Sequence, residues 1–268
     1  MQRVRDHQLF IDREDRGQGE PALLFLPGWC ASHSAFTDLI PRSAEHRRVL
    51  VLDWRGHGQS ERPDSDFGEE GLVEDALSVI ESSHVQQVIP VALSHAGWVA
   101  IELRRRLGQR IPKLVFIDWI ITEAPEAFLG AVQALQDPAQ WQQAREQLFS
   151  MWLEDIDQPA IINFVREDMG GYGFEMWGRA AREIGAAYRK AGSPLKALSA
   201  LNSPVPALHL YAQPADPAYL SAQQAFASAH PWFHVERLQA RSHFPMFEVP
   251  GEMAAAIETF VSSPGHAS

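Results

Sequence analysis

Short apolar runs separated by polar, turn-forming stretches dominate the hydrophobic pattern of this chain. Six such runs, rich in Leu, Val, Ile and Phe, have the length of buried strands. They lie at residues 22–26, 48–53, 88–93, 113–119, 205–211 and 233–238. Between and after them, apolar residues recur at helical spacing, for example over 74–83, 97–104 and 251–261. The alternation predicts an α/β protein with a mostly parallel central sheet flanked by helices.

The stretch between the fourth and fifth of these runs has a different pattern. From about residue 120 to residue 200 it contains helical segments only, at 126–136, 141–153, 159–169 and 174–190. We therefore expect a core of residues 1–119 and 201–268, with a helical cap of residues 120–200 inserted before the last strands. Most aromatic residues of the cap are expected to pack it onto the core, but Trp152 and Trp177 are candidates for lining a flat apolar pocket.

Composition narrows the class of protein. The chain has 268 residues, a net charge of −11 and a pI near 5.4, which argues against binding to nucleic acid or to anionic membranes. Cys30 is the only cysteine, so no disulfide can form within the chain. Neither a secretory signal nor a membrane-spanning run of about 20 apolar residues is apparent. We expect a soluble cytoplasmic protein, and no protein partner is evident.

A serine at the end of the third apolar run is the first candidate for chemistry. Ser94 follows a strand and precedes a helix, as in the nucleophile elbow of the α/β-hydrolase fold, although Ala92 and Ala96 occupy positions that are usually glycine. Pro27, Gly28 and Trp29 end an earlier strand, where that fold places an oxyanion loop. The backbone N–H groups of Trp29 and His95 are therefore candidate oxyanion donors. A plain strand-ending turn is the alternative for each segment.

The base and the acid are expected near the end of the chain. His243 follows the last strand and precedes the last helix, where the α/β-hydrolase fold presents its histidine base. Two carboxylates compete for the role of its partner. Asp216 follows the strand at 205–211, as in an ordinary hydrolase, whereas Asp118 ends the preceding strand. Both strand ends lie at the same edge of a parallel sheet, so either aspartate could reach His243.

Other polar residues allow further interpretations. The side chains of His95 and His33 are candidate substrate ligands, but each could equally be structural. His234 and Glu236 match part of an iron-binding facial triad, a short match that is common by chance. Gly56-His57-Gly58 fails as a dinucleotide fingerprint, because Glu61 occupies the position of the third glycine. The residues alone supply no convincing set of metal ligands, and the family resemblance described next implies that neither a metal nor an organic cofactor is required.

Motifs spread over nearly the whole chain, cap included, resemble those of the cofactor-independent 3-hydroxy-4(1H)-quinolone 2,4-dioxygenases. The motifs are Pro27-Gly28-Trp29-Cys30, Asp53-Trp54-Arg55-Gly56-His57, Ser94-His95-Ala96-Gly97-Trp98, Ile117-Asp118-Trp119, Glu175-Met176-Trp177-Gly178-Arg179, Gly192-Ser193-Pro194, Gln213-Pro214, His230-Pro231-Trp232-Phe233 and His243-Phe244-Pro245. The resemblance implies that Asp118, not Asp216, is the partner of His243. It also reveals a departure, since Ala31 stands where that family often has a histidine.

The resemblance implies a reaction in which His243 deprotonates a 3-hydroxy-4-quinolone. The substrate anion would then react directly with O₂, and ring opening would release CO and an N-acylanthranilate. Ser94 would orient the substrate rather than attack it. Unsubstituted, methyl and long-alkyl rings, including the heptyl Pseudomonas quinolone signal, all remain possible. The alternatives are a serine esterase or amidase that uses Ser94, His243 and Asp216, and a non-catalytic ligand receptor.

Overall fold

The computed structural model describes residues 2–6 and 9–264, which are built around one eight-stranded sheet. Its strands are β1 (Gln2–Asp6), β2 (Leu9–Arg16), β3 (Ala22–Leu26), β4 (Val49–Leu52), β5 (Val88–Leu93), β6 (Leu114–Ile117), β7 (Ala207–Tyr211) and β8 (Phe233–Arg237). Their order across the sheet is β1-β2-β4-β3-β5-β6-β7-β8. Strand β2 pairs antiparallel with β1 and β4, and every other pair is parallel. The α/β-hydrolase fold predicted from the sequence is confirmed.

The apolar composition of the central strands follows from their position in the sheet. Every residue of β3, β4, β5, β6 and β7 is buried, because helices cover both faces of the parallel part. Strand β8 lies at one edge, and three of its five residues are exposed. The six strands predicted from apolar runs are all present, but the charged strands β1 and β2 were not predicted.

The register of the parallel strands brings the functional loops together. Leu26 pairs with Ala92, Leu93 with Ile117, and Ile117 with Leu210. The carboxyl ends of β3, β5, β6 and β7 therefore lie side by side at one edge of the sheet. In open α/β sheets this edge carries the ligand site.

Eleven α-helices lie in the described part of the chain. They are α1 (Leu39–Ala44), α2 (Glu69–Ser82), α3 (Ala96–Leu107), α4 (Glu126–Ala134), α5 (Trp141–Trp152), α6 (Pro159–Asn163), α7 (Phe174–Ala191), α8 (Pro194–Ser199), α9 (Pro217–Ala229), α10 (Pro245–Glu248) and α11 (Pro250–Ser262). The helix predicted at 74–83 begins five residues earlier, at Glu69. The helices α1, α8, α9 and α10 were not predicted. None of the described helices combines the length and the hydrophobicity that a bilayer span requires.

Helices α4 to α8 all fall between β6 and β7, where the cap was predicted. The helix expected at 159–169 is broken, because α6 continues into a π-helical turn at Phe164–Asp168 and a 3₁₀ turn at Met169–Gly171. Helix α7 packs against α4, α5 and α8. The division into a core and a cap as separate domains remains a prediction.

Candidate active site

Ser94 occupies the tight turn between β5 and α3, with a positive φ of 52°. A left-handed conformation costs a residue other than glycine about 1–3 kcal/mol, so the surroundings must hold it in place. The Ser94 N–H donates to the carbonyl oxygen of Ile117 at 2.8 Å, which ties the turn to the end of β6. Close packing makes glycine necessary at Gly97, since a Cβ there would collide with the ring of Trp119. The turn has the geometry of a nucleophile elbow.

His243 and Asp118 form a hydrogen-bonded pair at the same edge of the sheet. The distance from His243 Nδ1 to Asp118 Oδ1 is 2.7 Å. The other carboxylate oxygen, Oδ2, accepts from the backbone N–H groups of Ala212 at 2.7 Å and Gln213 at 3.2 Å. The Asp118 side chain is fully buried, and that of His243 is 19% exposed. Because the ionised carboxylate only accepts hydrogen bonds, Nδ1 of His243 donates and Nε2 of the neutral ring is left to take a proton.

A tryptophan of the cap covers the ring of His243. Trp152, the last residue of α5, stacks on His243 with 5.5 Å between ring centroids and 12° between planes. Phe244 contacts both rings edge-on, at 5.6 Å from Trp152 and 5.2 Å from His243. The structure thus brings Trp152 to the base.

His95 lies beside this pair and is held among aromatic rings. Phe128 stacks on it at 5.6 Å, and Tyr188 meets it edge-on at 6.0 Å. Burial and, to a smaller extent, the positive charge of His243 lower the pKa of His95 to about 3. Its Nδ1 is buried and has no hydrogen-bond partner among the described residues. His95 is therefore a neutral polar group with spare hydrogen-bonding capacity.

Two backbone N–H groups of interest lie in the turns that follow β3 and β5. Among the residues that the structure describes, none accepts a hydrogen bond from the N–H of Trp29 or from that of His95. The neighbouring amide of Cys30, by contrast, donates to His57 Nε2 at 3.1 Å. Gly28 packs close to the turn, since a Cβ on it would lie 3.8 Å from Ser94 Cβ. Since the α/β-hydrolase fold takes its oxyanion donors from turns at these two positions, the two N–H groups remain candidates for that role.

The ring of His33 is bound by carboxylates rather than by the groups just described. Its Nδ1 is 3.0 Å from Asp53 Oδ2, and its Nε2 is 3.7 Å from Glu14 Oε1. The hydrogen bond to Asp53 raises the pKa of His33, against the effect of burial. Both ring nitrogens are thus engaged. The substrate contact suggested for His33 remains a prediction that this geometry does not favour.

Trp177 belongs to the aromatic layer behind Trp152. It is buried in α7 and meets Phe149 edge-on at 5.6 Å, and Phe149 lies 6.0 Å from Trp152. Its indole N–H has no acceptor among the described side chains and backbone groups. Trp177 therefore supports the wall of the site, and its direct contact with a substrate remains a prediction.

Asp216 has a structural role at the start of α9. It is the N-cap residue, and its Oδ1 accepts from the N–H of Ala218 at 2.8 Å. Its side chain is exposed. A carboxylate in this position satisfies one of the orphan donors of a helix end. The carboxylate that meets His243 is thus Asp118, at the earlier of the two predicted positions.

The group of potential metal ligands found in the described ranges does not include His243. In the described ranges one group of potential ligands, Asp12, His33 and Asp53, has atoms within 4.8 Å of one another. Two of its three members, His33 and Asp53, are already hydrogen-bonded to each other. His234 and Glu236, which the sequence suggested as part of an iron site, are exposed on the edge strand β8 and do not belong to that group.

Several aromatic residues of the site were not predicted. Phe128 and Tyr188 enclose His95, and Phe67 stacks on Trp29 with 6.1 Å between centroids. Tyr188 lies on the apolar face of α7, together with Trp177 and Ile184, so helical periodicity could have placed it inside the protein. Periodicity could not have shown which ring it would contact.

Comparison with known proteins places this geometry in a family. The profile of the Alpha/beta hydrolase family matches residues 23–256. A 2-heptyl-3-hydroxy-4(1H)-quinolone dioxygenase of Mycobacteroides abscessus is 36% identical, with 94% of each chain covered. A 1H-3-hydroxy-4-oxoquinoline 2,4-dioxygenase of Pseudomonas putida is also 36% identical, over 91% of this chain and 92% of its own. The chain belongs to the 3-hydroxy-4-quinolone dioxygenase family.

A solved structure agrees with this assignment. It concerns a protein that recognises and cleaves the ring of the Pseudomonas quinolone signal, in complex with its product. Its chain is 34% identical to this one and superposes with a TM-score of 0.93, covering 98% of this chain and 100% of its own. Like the named members of the family, this protein is an enzyme of the dioxygenase type, which the sequence had indicated over the esterase alternative.

Proposed function

We propose that this dioxygenase opens the heterocyclic ring of 3-hydroxy-4(1H)-quinolones with O₂, releases CO and uses neither a metal nor an organic cofactor. A 2-alkyl substituent fits the relatives, three of which act on 2-heptyl rings by their names. The observation that carries the proposal is the 2.7 Å hydrogen bond between His243 and Asp118 in a member of this family. The bond holds the His243 ring in one orientation, as the proposed base requires.

The first step is removal of the 3-hydroxyl proton by His243 Nε2. Asp118 holds the ring in the required tautomer and stabilises the imidazolium that forms, while Trp152 stacks on the same ring. Because His95 stays neutral, with a pKa of about 3, it adds no charge that would oppose protonation of His243. The substrate anion is electron-rich enough to react with O₂ directly.

Later steps place negative charge on the oxygen at C4. O₂ adds at C2, the resulting peroxide attacks C4, and the ring opens with loss of C3 as CO. In this proposal the free N–H groups of Trp29 and His95 donate to the oxygen at C4 as its charge develops. Atoms balance: both oxygens of O₂ enter the N-acylanthranilate, and CO keeps the oxygen of the 3-hydroxyl group.

Ser94 is assigned to substrate orientation rather than to nucleophilic attack. Among the described residues, no hydrogen bond joins Ser94 Oγ to the ring of His243. Nucleophilic catalysis relies on such a bond to activate the serine. The elbow presents the hydroxyl at the site, where it can hydrogen-bond an oxygen of the substrate.

The test is turnover of a series of 3-hydroxy-4(1H)-quinolones by chelator-treated protein whose metal content is checked by elemental analysis. We expect O₂ uptake, CO release and, with ¹⁸O₂, two labels in the N-acylanthranilate and none in CO. Comparing unsubstituted, 2-methyl and 2-heptyl rings defines the preferred substituent. Activity that returns only when iron is added would refute cofactor independence, and acylation of Ser94 during turnover would favour the esterase. Tight binding without turnover would indicate a receptor.

A further inference from the structure

Asp118 has a backbone conformation that needs support from outside its own strand. Its φ is +45°, in the left-handed region, at the point where β6 ends. Aspartate tolerates this conformation better than most residues, but it persists only where the surroundings fix it. The Asp118 N–H donates to the Leu210 carbonyl oxygen at 2.9 Å, which fixes the peptide before the carboxylate. The peptide groups after Asp118 need partners of their own.

A buried histidine fixes the next peptide group. The N–H of Trp119 donates to His209 Nε2 at 3.3 Å, and His209 is fully buried in β7. Since Nε2 accepts, the ring proton must be on Nδ1, which lies 2.6 Å from Oε1 of Gln223. Burial lowers the pKa of His209 to about 4, so the ring stays neutral near pH 7 and can accept. Only the His209 tautomer with its proton on Nδ1 can accept the hydrogen bond from the Trp119 N–H, directly after Asp118.

Gln223 determines that tautomer. It is a fully buried amide on α9, and its Nε2 donates weakly to the carbonyl oxygen of Tyr219 at 3.4 Å. That bond turns the amide so that Oε1 faces His209. Burial of an amide costs free energy unless its polar atoms are hydrogen-bonded, and the bonds to His209 and Tyr219 meet this requirement. Gln223 is also the one buried residue of α9.

Tyr219 completes the support. Its hydroxyl donates to the carbonyl oxygen of Trp119 at 2.7 Å and accepts from the N–H of Ile121 at 3.0 Å. The N–H and the carbonyl oxygen of Trp119 are therefore both hydrogen-bonded to polar side chains, His209 of β7 and Tyr219 of α9. These side chains do not contact His243, but they hold the backbone from which the carboxylate of Asp118 reaches it.

We propose that His209, Gln223 and Tyr219 are positioning residues for the acid–base pair, with Gln223 selecting the His209 tautomer that keeps Asp118 aligned with His243. The proposal rests on the function proposed above, in which His243 is the base. It predicts that substitutions in these three residues, the positioning relay, weaken proton abstraction more than substrate binding. If the positioning relay had only a structural role, the same substitutions would change the stability of the fold and leave proton abstraction unchanged.

The decisive comparison is Gln223→Leu against Gln223→Glu, with Gln224→Leu as the matched control. Leucine removes the acceptor for His209 Nδ1–H, whereas glutamate keeps an oxygen there. Gln224 is the exposed neighbour on the same helix. The main readout is the pH midpoint for deprotonation of bound 3-hydroxy-4(1H)-quinolone, followed by absorbance. Steady-state kcat and KM and the thermal midpoint of unfolding are measured alongside.

For Gln223→Leu we expect the midpoint to rise by about one pH unit, which is about a tenfold change in the deprotonation equilibrium. We expect kcat below the midpoint to fall by a similar factor with little change in KM. Gln223→Glu and Gln224→Leu should retain the wild-type midpoint. A destabilised Gln223→Leu with an unchanged midpoint would overturn the proposal, as would equal shifts in the leucine and glutamate variants.

If Gln223→Leu does not fold, Tyr219→Phe tests the same proposal, because this substitution removes only one hydroxyl group. It should shift the midpoint in the same direction, and no shift would count against the proposal. The proton on Nδ1 of His243 provides a readout that needs no substrate, since its NMR signal reports the hydrogen bond to Asp118. Failure of the wild type to turn over any quinolone would refute the proposed function, while an unaltered signal in Gln223→Leu would refute the positioning role.

Discussion

Asp118 and Asp216 follow neighbouring parallel strands at the same edge of the sheet, yet the structure uses them for different purposes. Asp118 is buried, in a left-handed conformation, and both of its carboxylate oxygens accept hydrogen bonds. Asp216 is exposed and caps a helix. The difference lies in the backbone around each carboxylate. The N–H groups of Ala212 and Gln213, which follow β7, donate hydrogen bonds to the Asp118 carboxylate, which follows the neighbouring strand β6.

The loop after β7 thus binds the carboxylate that meets His243 without supplying it. In the hydrolase arrangement considered for the sequence, that loop would carry the carboxylate. Here it offers two backbone donors, and the carboxylate comes from β6. Strand order therefore fixes where an acid can lie, but local backbone donors decide which aspartate is oriented toward the histidine.

The largest effect is expected from Asp118→Ala. Loss of the carboxylate removes the group that orients His243 and stabilises its cation, so we expect turnover to fall by about 10³- to 10⁴-fold. Deprotonation of bound quinolone should weaken, visible as a change in its absorbance spectrum. His243→Ala serves as the control, since it should abolish proton abstraction whichever aspartate is the partner. Near-normal turnover by Asp118→Ala would show that Asp118 is not the functional partner of His243.

A smaller effect is expected from Ser94→Ala. If the acid–base pair acts on the substrate hydroxyl and not on a serine, turnover should fall by less than about 10²-fold, against roughly 10⁶-fold for loss of a hydrolase nucleophile. Single-turnover kinetics with the natural substrate measure this directly. A loss near the hydrolase value would show that His243 and Asp118 activate Ser94 instead.

Acid should destabilise the surroundings of Asp118 through His209. The pKa of His209 is about 4 in the folded protein and about 6.5 in the unfolded chain, so between these values the unfolded state binds the proton more readily. Its contribution to stability is present above about pH 6.5 and is lost as the pH falls toward 4, at up to about 1.4 kcal/mol per pH unit. Denaturant unfolding of His209→Gln should therefore depend less on pH in this window than unfolding of the wild type. Parallel curves would contradict a neutral buried ring.

The smallest effect on activity is expected from Asp216→Ala. Turnover should stay within about twofold of wild type, because the side chain faces solvent away from His243. Loss of the bond to the Ala218 N–H should cost about 1 kcal/mol in the free energy of unfolding, as is usual for an N-cap. Both quantities come from steady-state assays and denaturant titration. A strong loss of turnover without loss of stability would mean that Asp216, too, serves the base.

Local patterns in the sequence account for the parts of the site that follow predicted strands. The turn at Ser94 and the base at His243 follow from apolar strands that end at polar residues. The choice of Asp118 over Asp216 did not follow from pattern, since both lie at strand ends. It came from the resemblance to a family, and the Asp118–His243 contact agrees with it.

Other features depend on contacts between distant segments. Helix α9 was missed because Gln223 is its only buried residue, so it has no apolar stripe to recognise. The position of Phe128 and Tyr188 around His95, and the binding of His33 by Asp53 and Glu14, join residues far apart in the chain. Single-residue propensities carry no information on such pairs.

The stacking of Trp152 on His243 has a consequence for recombination between relatives. A helical insertion that only shielded the pocket could be exchanged between hydrolases as a separate module. Here α5 supplies Trp152 for the base, and α4 and α7 supply Phe128 and Tyr188 for His95. In a chimera with a foreign insertion, the aromatic residues around His243 and His95 would come from another protein and would not pack on these histidines in the same way. We therefore expect that the insertion and the rest of the chain can be exchanged only together, or with compensating substitutions at these contacts.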